Sequence, residues 1–180
     1  MLGGTLYAFS YNTKFYMGLG GGIQYESFTD DTIKEKNTPA FASLKFGYGD
    51  KRAYAIEFVL NAVNNKSSIF SPDDNRRYGM DVMFVKAYNL NQYFYPLVRA
   101  GFGAGEMRVE NVGIDNKNKL AYSSFNIGAG AFFPLDQHFD IEATYEYRFT
   151  SYQSFIDENE HERKVHSHIS QVYLGVNYRF

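Results

Sequence analysis

Cysteine is absent from the 180 residues, which excludes a disulfide scaffold and zinc sites built on thiolates. The same absence suits a chain that crosses an oxidising compartment unfolded. Tryptophan is absent as well, although phenylalanine and tyrosine number 17 and 16. No apolar run approaches the roughly 18 residues that a membrane-crossing helix needs, and mean hydropathy is −0.40. A transmembrane helix is therefore excluded. A transmembrane barrel is not, because alternating strands average to mild polarity. The formal net charge of −2 supplies no global basic field, so nucleic acid is not an expected partner. Glycine-rich phosphate loops are missing too: LGGGIQ and GFGAG sit inside alternating segments, and no cofactor is expected.

What is present is period-2 alternation. In the final QVYLGVNYRF, Val172, Leu174, Val176, Tyr178 and Phe180 share one side, while Gln171, Tyr173, Gly175, Asn177 and Arg179 share the other. This is the pattern of a strand with one apolar face. Eight such segments can be read, at about 15–28, 39–48, 53–64, 78–89, 95–108, 120–133, 139–152 and 167–180. The connections between them run long, short, long, short, long, short, long. Short turns on one rim and long polar loops on the other are the arrangement of outer-membrane barrels. Of the four prolines, Pro39 and Pro96 fall at strand starts, Pro134 at a strand end and Pro72 in a loop, where no interior ladder bond is lost. The expectation is one all-β domain over 1–180, an eight-stranded antiparallel transmembrane barrel with short periplasmic turns and long extracellular loops.

Glycine indicates which face is inner. Gly18, Gly20 and Gly22 share parity with Gln24 and Glu26; Gly101, Gly103 and Gly105 go with Arg99; Gly128 and Gly130 go with Asn126. An eight-stranded barrel leaves an interior just wide enough for side chains, so glycine on the polar face makes room for long charged neighbours. The apolar face then meets lipid, with every backbone group paired inside the sheet. Aromatics near the ends of that face, Phe15, Phe28, Tyr54, Tyr122, Phe133, Phe149 and Tyr178, are expected as interfacial girdles. The polar parities give a lumenal set of Glu26, Lys45, Glu57, Lys86, Arg99, Glu142, Glu146, Arg148 and Arg179. An unpaired charge inside a narrow barrel is very costly, so this nearly balanced set is expected to form ion pairs that plug the lumen and fix register. The alternative is a narrow, charge-lined, weakly conducting channel. Strand four is ambiguous, because Asp81 and Lys86 have opposite parity; a bulge there, or Asp81 lying above the membrane, would reconcile them.

The terminal stretch resembles the C-terminal signal read by the outer-membrane assembly machinery, with Tyr173, Leu174, Val176, Tyr178 and the final Phe180 as its residues. Most of the chain resembles the eight-stranded transmembrane domain of the outer membrane protein A family. That resemblance implies a buried lumenal ion-pair network drawn from strands three, four, six and seven. AIEFVL supplies Glu57, FVKAYN supplies Lys86 and EYRF supplies Arg148, slightly displaced. The sixth segment, NIGAGAFF, has no glutamate, so Glu142 or Glu146 takes that place. The family's periplasmic peptidoglycan-binding domain is not expected.

Candidate chemistry is sparse. His168-Ile-Ser170 resembles the His-x-Ser pattern of outer-membrane lipid A deacylases and lies on the lipid-facing parity, yet no downstream acid remains to orient the histidine. These two are expected as rim residues, and no catalytic residue is assigned. Asp157, Glu158, Glu160, His161, His166 and His168 match no defined metal spacing, so no metal site is assigned. The opening MLGGTLYAFS lacks the basic start and apolar stretch of a secretory leader and reads as the start of a mature chain. The mixed-charge loops at 29–38, 65–77, 109–119 and 153–166 suit contact with lipopolysaccharide phosphates or a host surface. The expected location is the bacterial outer membrane. The expected role is structural or surface-interactive, with outer-membrane lipids and lipopolysaccharide, the assembly machinery and a host-surface ligand as partners.

Overall fold

Alternation becomes eight long antiparallel strands in the computed structural model, which describes residues 13–29, 34–50, 53–67, 71–112, 117–156 and 162–180. They are β1 (Lys14–Thr29), β2 (Ala40–Gly49), β3 (Tyr54–Ser67), β4 (Ser71–Ala87), β5 (Tyr95–Val112), β6 (Lys117–Pro134), β7 (Phe139–Tyr152) and β8 (His166–Arg179). Each pairs with the next in sequence. β8 then pairs back onto β1, from Tyr16↔Arg179 to Thr29↔His166, which closes the sheet into a barrel. Closure leaves no edge strand and satisfies the backbone internally, the condition for crossing lipid with strands. Three short pieces lie at the long-loop rim: Lys34–Asn37 pairs with β1, and Phe155–Ile156 pairs with Glu162–Arg163.

The expected eight-stranded architecture is borne out. β4, however, begins at Ser71, inside a segment read as loop. The Ser-Pro-Asp-Asp stretch carries turn chemistry, but β3 runs on to Ser67 and offers it a partner, with Asn64↔Arg76 and Asn65↔Asn75 in register before a bulge.

The two faces differ as the alternation requires. Outward side chains form an apolar belt whose members would be intolerable on a water-soluble surface: Phe15 is 67% exposed, Leu19 68%, Phe102 65% and Leu174 61%. The inward face carries most of the charge. Gly47 shows how glycine shapes it. The row Arg179–Tyr16–Gly47–Glu57 runs across four neighbouring strands. A Cβ at Gly47 would fall within the ring of Tyr16. Only a glycine there lets the tyrosine lie flat across β2 and reach Glu57 on β3, with its hydroxyl donating to Oε1 at 2.7 Å.

Candidate functional site

The lumen is a stack of layers. Nearest the long-loop rim, Phe28, Met107, Val109, Leu120, Tyr122, Tyr152, Phe155 and Val165 form an apolar lid. Beneath it Arg77 donates to Glu26 Oε1 at 2.6 Å, to Gln24 Oε1 at 2.7 Å and to the Tyr152 hydroxyl at 2.9 Å. One guanidinium thus ties β4 to β1 and β7 across the barrel. In the next layer Arg148 donates to Asp81 Oδ2 at 2.6 Å, and Asn61 donates to the same oxygen at 2.6 Å.

Below this lies the densest cluster. Arg99 donates to Glu142 Oε1 and to Glu57 Oε2, both at 2.9 Å, and its Nε lies 3.5 Å from Glu146. Lys45 Nζ donates to Glu142 Oε2 at 2.5 Å and lies 3.5 Å from Glu57. At the bottom Arg179 donates to Asp140 Oδ2 at 2.7 Å and stacks over the Tyr16 ring at 4.3 Å. A second apolar cluster, Tyr16, Ala55, Val85, Ala87, Tyr95, Leu97 and Phe132, closes this end as a floor. Between lid and floor, the space bounded by Lys45, Asp81, Arg99, Glu146, Arg148 and Tyr173 is a cavity of about 20 Å³, room for about one water molecule.

Glu26, Lys45, Glu57, Arg99, Glu142, Glu146, Arg148 and Arg179 all point into this stack, and each is buried. Lys86 does not, which corrects its expected lumenal place. The β3–β4 register runs without a bulge from Asn65↔Asn75 down to Tyr54↔Lys86, so parity holds throughout: Asp81, Met83 and Val85 face in, while Phe84 and Lys86 face out. The Lys86 ammonium sits 3.8 Å from the centre of the Tyr54 ring and 5.4 Å from that of Tyr88. It is a snorkelling interfacial cation at the short-turn rim.

Two expected girdle residues are also corrected. Phe28 and Tyr122 share parity with inward neighbours and belong to the lid. Phe15, Tyr54, Phe133, Phe149 and Tyr178 do lie on the outer face. Of the terminal stretch, Leu174, Val176, Tyr178 and Phe180 face out, while Tyr173 is buried inside beneath the Lys45 ammonium, 5.0 Å from its ring centre.

Arg77, Asp81 and Asp140 complete the network and were absent from the expected set. Arg77 lay in a segment read as loop, although its parity with Asp81 signals an inward position. Outside the barrel, His168 and Ser170 hydrogen-bond to two different tyrosines of β7 rather than to each other: Tyr147 Oη lies 2.5 Å from His168 Nδ1, and the Tyr145 hydroxyl donates to Ser170 Oγ at 3.1 Å. Asp157, Glu158, Glu160 and His161 lie outside the described residues. Among the described residues no cluster of three metal-ligating side chains occurs.

Similarity to known proteins agrees with this geometry. No curated protein matches the sequence significantly. Among solved structures, Neisserial surface protein A superposes with a TM-score of 0.62 at 13% identity, covering 92% of this chain and 97% of that one. OprG of Pseudomonas aeruginosa gives 0.56 at 16% identity, with 93% and 96% covered. Ail, the attachment invasion locus protein of Yersinia pestis, gives 0.52 at 20% identity, with 93% and 99% covered. At these identities the likeness establishes the fold. The family model described as "Outer membrane protein beta-barrel domain" matches residues 1–180. With its closed eight-stranded sheet, lipid-facing belt and filled lumen, the chain belongs to that family and is a small β-barrel of the bacterial outer membrane.

Proposed function

We propose that this barrel works through its outside, as a structural and surface-interacting protein of the outer membrane rather than as a channel or an enzyme. The observation that carries this reading is the lumen: an apolar lid, four layers of paired charges and an apolar floor lie in series. Apolar constrictions oppose ion entry, and among the described residues each buried lysine and arginine is already paired with a carboxylate. The hairpins β3–β4 and β5–β6 continue beyond the belt at the long-loop rim, and where they leave it Asn64, Arg76, Arg108 and Lys119 are exposed. Ail has been solved in complex with the heparin analogue sucrose octasulfate; a polyanionic or host-surface ligand is the analogous role here, resting on these hairpins.

A direct test replaces residues 66–74 with a two-residue Asn-Gly turn, a connection that suits a tight hairpin. Cells displaying the wild type should adhere to immobilised heparin or to an epithelial monolayer. Cells displaying the shortened chain should fall to the level of cells without the protein, while the barrel keeps its heat-modifiable gel mobility. Adhesion to neither surface by the wild type, or unchanged adhesion by the shortened chain, contradicts the hairpin role.

A further inference from the structure

Outside the apolar floor, at the short-turn mouth, the barrel encloses a vestibule of about 640 Å³, within the size range of small-ligand sites. Each of the three short turns contributes to it: Asp50 after β2, Gln92 and Tyr93 after β4, and Leu135, Asp136 and Gln137 after β6. Its inner end is formed by Tyr95, a member of the floor, and by Arg179. Arg179 is 3% exposed. Its Nε donates to Asp140, but its Nη2 has no hydrogen-bond partner. The guanidinium is fixed in place, 4.3 Å from the ring centre of Tyr16 and 5.5 Å from that of Phe132. A buried donor left unmet is costly, and an acceptor arriving through the vestibule would meet it.

The surroundings narrow the chemistry of that acceptor. Lys14 is the next inward residue on β1 from Tyr16 toward the rim, in register with Gly49, and it lines the vestibule with Arg179. Asp50 and Asp136 line it too, and one oxygen of Asp136 accepts from the backbone of His138 and Phe139, both at 2.7 Å. Two cations with two carboxylates leave the walls close to neutral. A multiply charged phosphate would meet repulsion as well as attraction, whereas a single carboxylate matches the planar edge of one guanidinium. The amides of Gln92 and Gln137 each donate and accept, as a peptide group requires, and the largely exposed Tyr93 and Leu135 offer apolar surface. We propose that this mouth, on the periplasmic side of such barrels, binds a short peptide with a free C-terminal carboxylate. The carboxylate lies on Arg179 and Lys14, and the peptide groups on Gln92 and Gln137. The site is at the opposite end of the barrel from the hairpin tips, so either role can fail alone.

The test uses the whole refolded chain, nitrogen-15-labelled, in detergent micelles. It is titrated with the tripeptide Ala-Ala-Leu as free acid and, separately, as its C-terminal amide. Backbone resonances of the three short turns should shift with the free acid. The amide should bind about tenfold or more weakly, the worth of one charge-assisted hydrogen bond. Lys14→Gln should weaken binding of the free acid by about two- to fivefold and leave binding of the amide unchanged. Arg179→Gln with Asp140→Asn removes a buried pair as a unit and should bring acid and amide to equal affinity. Heat-modifiable gel mobility identifies the folded variants, and the rim change at Lys14 reads the site independently of the buried pair. Equal affinity of the wild type for both peptides, or no shift at the short turns at millimolar peptide, overturns the site. So does undiminished binding of the free acid by Lys14→Gln, or discrimination that persists in the folded double variant.

Discussion

Replacing Arg99 with methionine is expected to destabilise the barrel by about 3–5 kcal/mol, the usual consequence of removing one partner from a buried ion pair. Arg99 serves three carboxylates at once, Glu57, Glu142 and Glu146. Without it Lys45 is left near two of them, and Glu146 loses one of its two cations, since Arg148 still lies 3.4 Å away. Like charges in a low-dielectric interior repel strongly. The carboxylates must then take up protons or draw in water, and either outcome weakens the folded state. Urea unfolding in lipid vesicles, followed by the shift between folded and unfolded gel mobility, reads the loss. Adding Glu57→Gln and Glu142→Gln to Arg99→Met should restore much of it, because the unpaired charges go with their partner. A change below about 1 kcal/mol for the single variant would mean that the network carries little of the barrel's stability.

The second large effect is steric. Gly47→Leu should prevent assembly or cost about 3 kcal/mol and more, since overpacking a filled interior typically costs about 1–3 kcal/mol and this change also breaks polar contacts. The leucine would occupy the place of the Tyr16 ring. Displacing the ring strands Glu57 Oε1 without its 2.7 Å donor and removes the surface on which Arg179 stacks. Gly47→Ala should fall between leucine and wild type. Tyr16→Phe, which keeps the ring and removes only the hydroxyl, should cost about 1–3 kcal/mol, the cost of leaving one buried acceptor unmet. The same urea titration ranks the three; an order in which leucine is tolerated as well as alanine would contradict the ring-over-glycine packing.

The architecture was legible because a closed barrel obeys one rule along its whole length. Period 2 sets the face of every residue once one inward position is known, and glycine parity supplied that position in β1, β5 and β6. Where the reading went astray, parity was overruled by another signal. Lys86 has the parity of Phe84 and Val82, both lipid-facing, yet its charge counts it into the lumenal set and resemblance to a family network points the same way. Phe28 and Tyr122 were placed by aromatic character, although Phe28 is two residues from Glu26 and Tyr122 two from Ser124. Arg77 was lost to turn-like composition in its segment. The partners were not legible at all. Lys45 meets Glu142 across 97 residues of sequence, and which acid meets which base depends on strand tilt and stagger, quantities that no single strand encodes. The lid and floor stayed hidden for a related reason: apolar residues on an otherwise polar face read as noise until the barrel gathers them from several strands into one layer.

Single-channel recording in a planar bilayer tests the central claim most directly. Wild-type protein, shown to be folded by its gel mobility and inserted by protease protection, should pass no discrete current under applied voltage. Lid, charge layers and floor would then be a plug, and function lies on the outer surface. Reproducible discrete openings from that folded, inserted protein would show a continuous water path through the layers and contradict the account.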